Sequence, residues 1–140
     1  MGITQYSLIN DGNKSVSKNF KVKEFRCKDG TDTIVIDTFF VQKYLQSIRE
    51  HFGAPVTINS AYRTVAYNKK IGGATNSYHL KGQAFDIAVQ GHTPQEVAKY
   101  AQELGILGII QYNSFVHVDS RTAKYWARNN NGSVTKVSGF

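Results

Sequence analysis

The chain has a single cysteine, Cys27, in 140 residues. That excludes an intramolecular disulfide and every cysteine-based zinc-finger spacing. Without disulfides, synthesis in the cytoplasm is the expectation, with later work outside the cell left open. In EFRCKDG, Cys27 reads as a small packed hydrophobe. No apolar run approaches the roughly 20 residues that cross a bilayer, so no membrane insertion is expected. The start, MGITQYSLINDGNKS, has no apolar stretch of the secretory-signal type. Tyr6 stands where a myristoylation signal needs Ser or Thr. No repeat or low-complexity tract is present.

Acidic residues are also scarce: 10 Asp and Glu against 17 Lys and Arg, for a net charge of +7. Such a balance attracts polyanions, whether nucleic acid, an anionic cell wall or a membrane surface. The basic residues are dispersed, with no basic helix and no aromatic-glycine nucleotide motif, so no specific nucleic-acid partner is expected. The hydrophobic fraction of 41% and charged fraction of 19% are those of an ordinary globular chain. The length suits one domain over residues 1–140, expected as a monomer.

Residues 1–20 are polar and are expected to wrap the surface. Asp37 can cap a helix through about His51, with Phe40, Val41, Tyr44, Leu45 and Ile48 near helical spacing and Gly53 as its stop. PVTINSAY alternates as a strand, and a short helix follows over 64–71. Thr93-Pro94-Gln95-Glu96 is a capping box with proline at the first helical position. The helix it starts ends at Gly105. GILGIIQY and SFVHVDS read as two strands joined tightly at Tyr112-Asn113-Ser114. The tail, 127–140, is expected to be irregular. This order predicts an α+β fold with helices against a largely antiparallel sheet.

The stretch NSYHLKGQAFDIAV places a carboxylate, Asp86, inside an apolar strand. The two-residue period puts Asp86 on one face between Ala84 and Ala88, with room for a bulky neighbour. On the later strand, His117 and Asp119 share a face. If the two strands are neighbours, Asp86 and His117 converge, and the loop carrying His79 lies at the rim. Two imidazoles and a carboxylate match a catalytic zinc set with one position left for water. An Asp–His pair without metal would satisfy the same spacing. His51, in the last turn of its helix, and His92, before the Thr93 cap, read as surface residues.

SAYRTVAYNKKIGGATNSYHLKGQAFDIAV followed by IIQYNSFVHVDSR resembles the zinc D-alanyl-D-alanine carboxypeptidase family. That superfamily also includes phage L-alanyl-D-glutamate endolysins, vancomycin-resistance dipeptidases and the hedgehog signalling domain. The likeness runs over residues 18–126 and is nearest the small phage and prophage branch, where segments like FKVKEFRCKDG and HFGAPVTINSAYR recur. It rests on S-x-H-x-x-G-x-A-x-D and a late H-V-D in combination. It implies a hedgehog-like fold and one Zn2+ held by His79, Asp86 and His117. Arg63 would hold a substrate carbonyl or carboxylate, and Ser77 and Gln83 would line the site. Many relatives have Asp or Glu three residues before the last histidine as the base; here that residue is Ser114. Asp119 is the candidate instead, as base, as partner of His117, or as structural partner of Arg121 or Arg63. Tyr112 is a candidate to polarise substrate or donate a proton.

The resemblance implies a zinc peptidase acting on stem peptides of bacterial peptidoglycan. It would be an endolysin-type enzyme made without a signal peptide and acting at the wall after release. A D-alanyl-D-alanine carboxypeptidase and a non-catalytic, zinc-holding wall-binding module are the alternatives.

Overall fold

The computed structural model describes residues 2–140, and Met1 lies outside it. Its centre is a six-stranded sheet in the order β10-β9-β7-β8-β6-β5. The strands are β5 (Val56–Ser60), β6 (Ala84–Val89), β7 (Gly108–Gln111), β8 (Val116–Asp119), β9 (Tyr125–Asn130) and β10 (Ser133–Lys136). Every neighbouring pair is antiparallel except β7 with β9. With the 38–52 rod and the Pro94–Glu103 helix packed on one face, this is the α+β architecture expected from the sequence.

The strand period explains the layering. Phe85, Ile87, Ile109, Val116 and Val118 are buried on one face. A rod of residues 38–52 covers them, running α2 (Thr38–Phe40), a π-helical turn (Val41–Leu45) and α3 (Gln46–Phe52). Asp37 Oδ1 accepts from the Phe40 amide at 3.1 Å to start the rod, and Gly53 ends it at φ 59°, where a side chain would be strained. Phe85 stacks on Phe40 at 5.3 Å and meets Phe25 edge-on at 5.7 Å. Cys27 is buried, as its apolar reading required. The second cover is α5 (Pro94–Glu103), whose Thr93–Glu96 capping box forms as the sequence indicated. It buries Val97, Ala98 and Ala101.

Two expectations need correction. The tail is not irregular: β9 and β10 form an antiparallel pair, and Phe140 packs at 6.3 Å from Trp126. All four residues of β10 are exposed, so it carries no alternation to read. The polar N-terminal segment does not merely wrap the surface. Its strand β1 (Ile3–Ser7) pairs with β4 (Thr33–Asp37), after the one-turn helix α1 (Leu8–Asp11). The hairpin β2 (Ser15–Ser17) and β3 (Phe20–Lys21) buries Val16 and Phe20. A few buried side chains anchor a segment whose average composition is polar.

Candidate metal centre

The face of the sheet away from the helices carries the polar residues. Across it, Ile110 on β7, His117 on β8, Asp86 on β6 and Ser60 on β5 fall in one register row. The next row places Gly108, Asp119 and Ala84 side by side. Gly108 is required there, because a Cβ at that position would collide with the Asp119 carboxylate. The strand neighbourhood that the sequence left conditional is therefore present.

His79 reaches the same point from outside the sheet. It sits in the 3-10 turn Tyr78–Lys81, which Ser77 caps by accepting from the His79 amide at 3.1 Å. Gly82 closes the turn at φ 71°, and a Cβ there would strike the Val35 carbonyl. The helix before it, α4 (Val65–Lys70), is capped by Thr64 and supplies Asn68 to the site.

His79, Asp86 and His117 each offer one ligand atom, and these atoms all lie within 4.8 Å of one another. His79 Nε2 is 3.3 Å and His117 Nδ1 2.9 Å from Asp86 Oδ1. The other nitrogen of each ring is committed. His79 Nδ1 donates to the Ala61 carbonyl at 2.7 Å. A carbonyl can only accept, so Nδ1 carries the hydrogen and Nε2 presents its lone pair. His117 Nε2 donates to Asp119 Oδ2 at 2.8 Å, which leaves Nδ1 facing Asp86. Two nitrogen lone pairs aimed at one carboxylate oxygen repel unless a proton or a cation lies between them. The donor set, its spacing and the outer partners fit a divalent ion.

The titration of the cluster follows from the same contacts. Burial opposes a charge on His117, but hydrogen bonds to Asp119 and Asp86 outweigh it and push the pKa up to about 9. Burial likewise works against ionised Asp86, and the two imidazoles override it and hold the carboxyl well below the usual range. Asp119 is buried too, and Arg121 and His117 keep it ionised in spite of that.

The centre lines a cleft of about 510 Å³, together with Arg63, Ser77, Tyr78, Tyr112 and Arg121. Arg63 donates from Nε to Ser60 Oγ at 3.1 Å and from Nη1 to Asn68 Oδ1 at 3.1 Å, and its Nη2 lies 3.5 Å from Asp86 Oδ2. Burial and the charge of Asp86 push the Tyr112 hydroxyl pKa up, so it stays protonated. Ser114 is exposed and lies outside this cleft. Asp119 is also outside it, 1% exposed, with both oxygens engaged by His117 and Arg121. Gln83 does not line the cleft. Its position alternates with Ala84, so it faces a second cavity under Phe39 and Tyr44. His51 stacks on Tyr100 at 3.7 Å, and His92 lies 3.4 Å from Glu96, both away from the centre. The residue that the sequence undervalued is Arg121, which there was only a possible partner for Asp119.

A mixed α+β scaffold thus carries a His-Asp-His cluster with metal-ligand spacing in an open cleft. Residues 18–119 match the Peptidase M15 family model, and the chain belongs to that family. It is 34% identical over 79 residues to the peptidoglycan L,D-endopeptidase MepK of Escherichia coli K12, covering 51% of this chain and 43% of that protein. It is 30% identical over 89 residues to the zinc D-Ala-D-Ala carboxypeptidase of Streptomyces albus G, covering 59% of this chain and 35% of that protein. The chain thus spans less than half the length of these relatives.

Proposed function

We propose that this protein is a zinc-dependent peptidase that hydrolyses stem peptides of bacterial peptidoglycan. The observation that carries the proposal is the orientation of the two imidazoles: each is locked by an outer partner with its free nitrogen turned to Asp86. Family membership and the printed activities of the two relatives supply the substrate class. Zinc held by His79, Asp86 and His117 would supply Lewis acidity, polarising the scissile carbonyl and acidifying the attacking water.

The remaining roles belong to the chain's own side chains. Arg63 is fixed by Ser60 and Asn68 and borders the ligand carboxylate. It is positioned to hold the substrate oxygen on which negative charge grows. Tyr112, kept protonated, lines the same cleft and would supply a hydroxyl donor to the substrate there. Asp119 acts by orienting His117, since neither of its oxygens is free to take a proton from water. Ser77 acts through the turn that carries His79.

Among the bonds such an enzyme can cut, an internal stem-peptide bond is the proposal, because the cleft is open and MepK is an L,D-endopeptidase by name. An endolysin-type role at the wall accords with the net charge of +7 and attraction to an anionic envelope. No helix among the described residues is long and apolar enough to cross a membrane. Ser114, standing where many relatives have a carboxylate base, favours one rival: a metal-holding module that binds wall without cutting it. Incubating zinc-loaded protein with purified peptidoglycan and weighing the fragments decides between them. New internal peptide termini, suppressed by a chelator, support the proposal. Release of terminal D-alanine alone moves it to a carboxypeptidase, and no fragments at all favour the binding module.

A further inference from the structure

Asn68 is 3% exposed, a depth at which a side-chain amide needs partners for both its nitrogen and its oxygen. It finds them in two different places. Oδ1 accepts from Arg63 Nη1 at 3.1 Å, and Nδ2 donates to the Ala74 carbonyl at 2.9 Å. The backbone carbonyl of Asn68 accepts from the Gly73 amide at 2.8 Å. Only this orientation of the amide fits. A guanidinium can only donate and a carbonyl can only accept, so a flipped amide would lose both side-chain bonds. An ionised aspartate would offer no donor to Ala74.

The two partners belong to different parts of the cleft. Arg63 follows β5 and borders Asp86, whereas Ala74 lies in the 71–76 segment, which lines the cleft through Ile71, Gly72, Gly73, Ala74 and Asn76. Gly73 marks how tightly they meet. A Cβ on it would strike the Asn68 side-chain amide and stand 3.1 Å from Arg63 Nη1, closer than packed atoms normally come. Arg63 has little else to hold it. Its Nη2 is 3.5 Å from Asp86 Oδ2, longer than an ordinary hydrogen bond. The Nε bond to Ser60 Oγ, at 3.1 Å, fixes one point of the guanidinium but not the plane of the group.

We infer that Asn68 is a positioning residue for the peptidase reaction: its amide joins the Arg63 guanidinium to the 71–76 wall, so that a substrate lying against that wall meets the cation already in place. Asn68 does not line the cleft and acts through Arg63. A donor ordered before the substrate arrives needs no reorganisation when charge grows on the substrate oxygen.

This inference rests on the peptidase reading, and its test separates the two. In a double-substitution cycle with zinc-loaded protein and a stem-peptide substrate, Asn68→Ala should lower kcat about tenfold, with a smaller change in KM. In an Arg63→Ala background the same substitution should cost no more than about twofold, because the group it positions is gone. Gly73→Ala, which wedges the same contact and keeps the Asn68 side chain, should follow the same pattern and serves alone if Asn68→Ala fails to fold. A second readout needs no turnover. The Arg63 Nε–H signal in nitrogen-15 spectra of the metal-free protein is identified by its loss in Arg63→Ala. It should exchange with solvent several-fold faster in Asn68→Ala and Gly73→Ala than in the wild type. A merely structural Asn68 would cost the same turnover with or without Arg63, so equal costs in the two backgrounds overturn the positioning role, as does an unchanged exchange rate. If the wild type cuts no stem peptide, the peptidase reading fails, and the exchange rate alone decides whether Asn68 holds Arg63.

Discussion

Asp86 and His117 face each other as a register pair across β6 and β8, with Oδ1 2.9 Å from Nδ1. The pair is an acid and a base on adjacent strands, and its behaviour depends on what lies between them. In the metal-free protein that is a proton; in the loaded protein it would be the ion.

Metal uptake therefore releases a proton. The His117 pKa rises from 6.5 to about 9 in the metal-free fold, so at pH 7 the ring is protonated and zinc must displace about one proton. Affinity then climbs about tenfold per pH unit until it levels near pH 9. Calorimetry in buffers of different ionisation enthalpy measures that proton. The same shift contributes stability to the metal-free protein. Because the folded pKa lies above the unfolded one, that contribution is fully present below pH 6.5 and fades as pH rises through about 9. Denaturant titrations of chelated protein across this window should show the decline.

Asp119→Asn tests positioning against base catalysis. An amide in place of the carboxylate weakens the hold on His117, and loss of such an outer partner costs about 10–100-fold in metal affinity. Saturating zinc should then restore most of the turnover. A defect that persists at saturation would instead identify Asp119 as the proton acceptor.

Arg63→Ala removes the donor next to Asp86 while leaving the three ligands in place. Turnover should fall about 100-fold through kcat, with bound metal by elemental analysis near the wild-type level. Arg63→Lys recovers part of the charge and none of the forked geometry, so its activity should lie between the two.

Gly108→Ala places a methyl against the Asp119 carboxylate. The overpacking should cost about 1–3 kcal/mol of stability and weaken metal binding through His117. Thermal melts with and without zinc separate the two effects.

How much of this was legible beforehand varies by element. Helix α5 was readable because Thr93, Pro94 and Glu96 state its start in local chemistry. Asp86 was readable because a carboxylate in AFDIAV violates an otherwise apolar strand. The β7–β8 hairpin followed from two apolar runs and a short polar link. β9 buries only Ala127 fully and β10 buries nothing, so their pairing left no periodic trace. β4 pairs with β1, a partner 26 or more positions away in register, and the sequence reading assigned neither. Gln83 was attached to the site by its place in a motif, but strand alternation turns it to the other side. Arg121 reads as a surface cation until β8, the 3-10 turn and β9 bring Asp119, Tyr78 and Tyr125 around it.

The central claim is that His79, Asp86 and His117 together hold one divalent ion. Diffraction from zinc-grown crystals, recorded on both sides of the zinc absorption edge, tests it directly. The account predicts a single anomalous peak within bonding distance of His79 Nε2, an Asp86 oxygen and His117 Nδ1. It also predicts that the peak disappears in Asp86→Ala. Well-ordered side chains with no peak between them would contradict it.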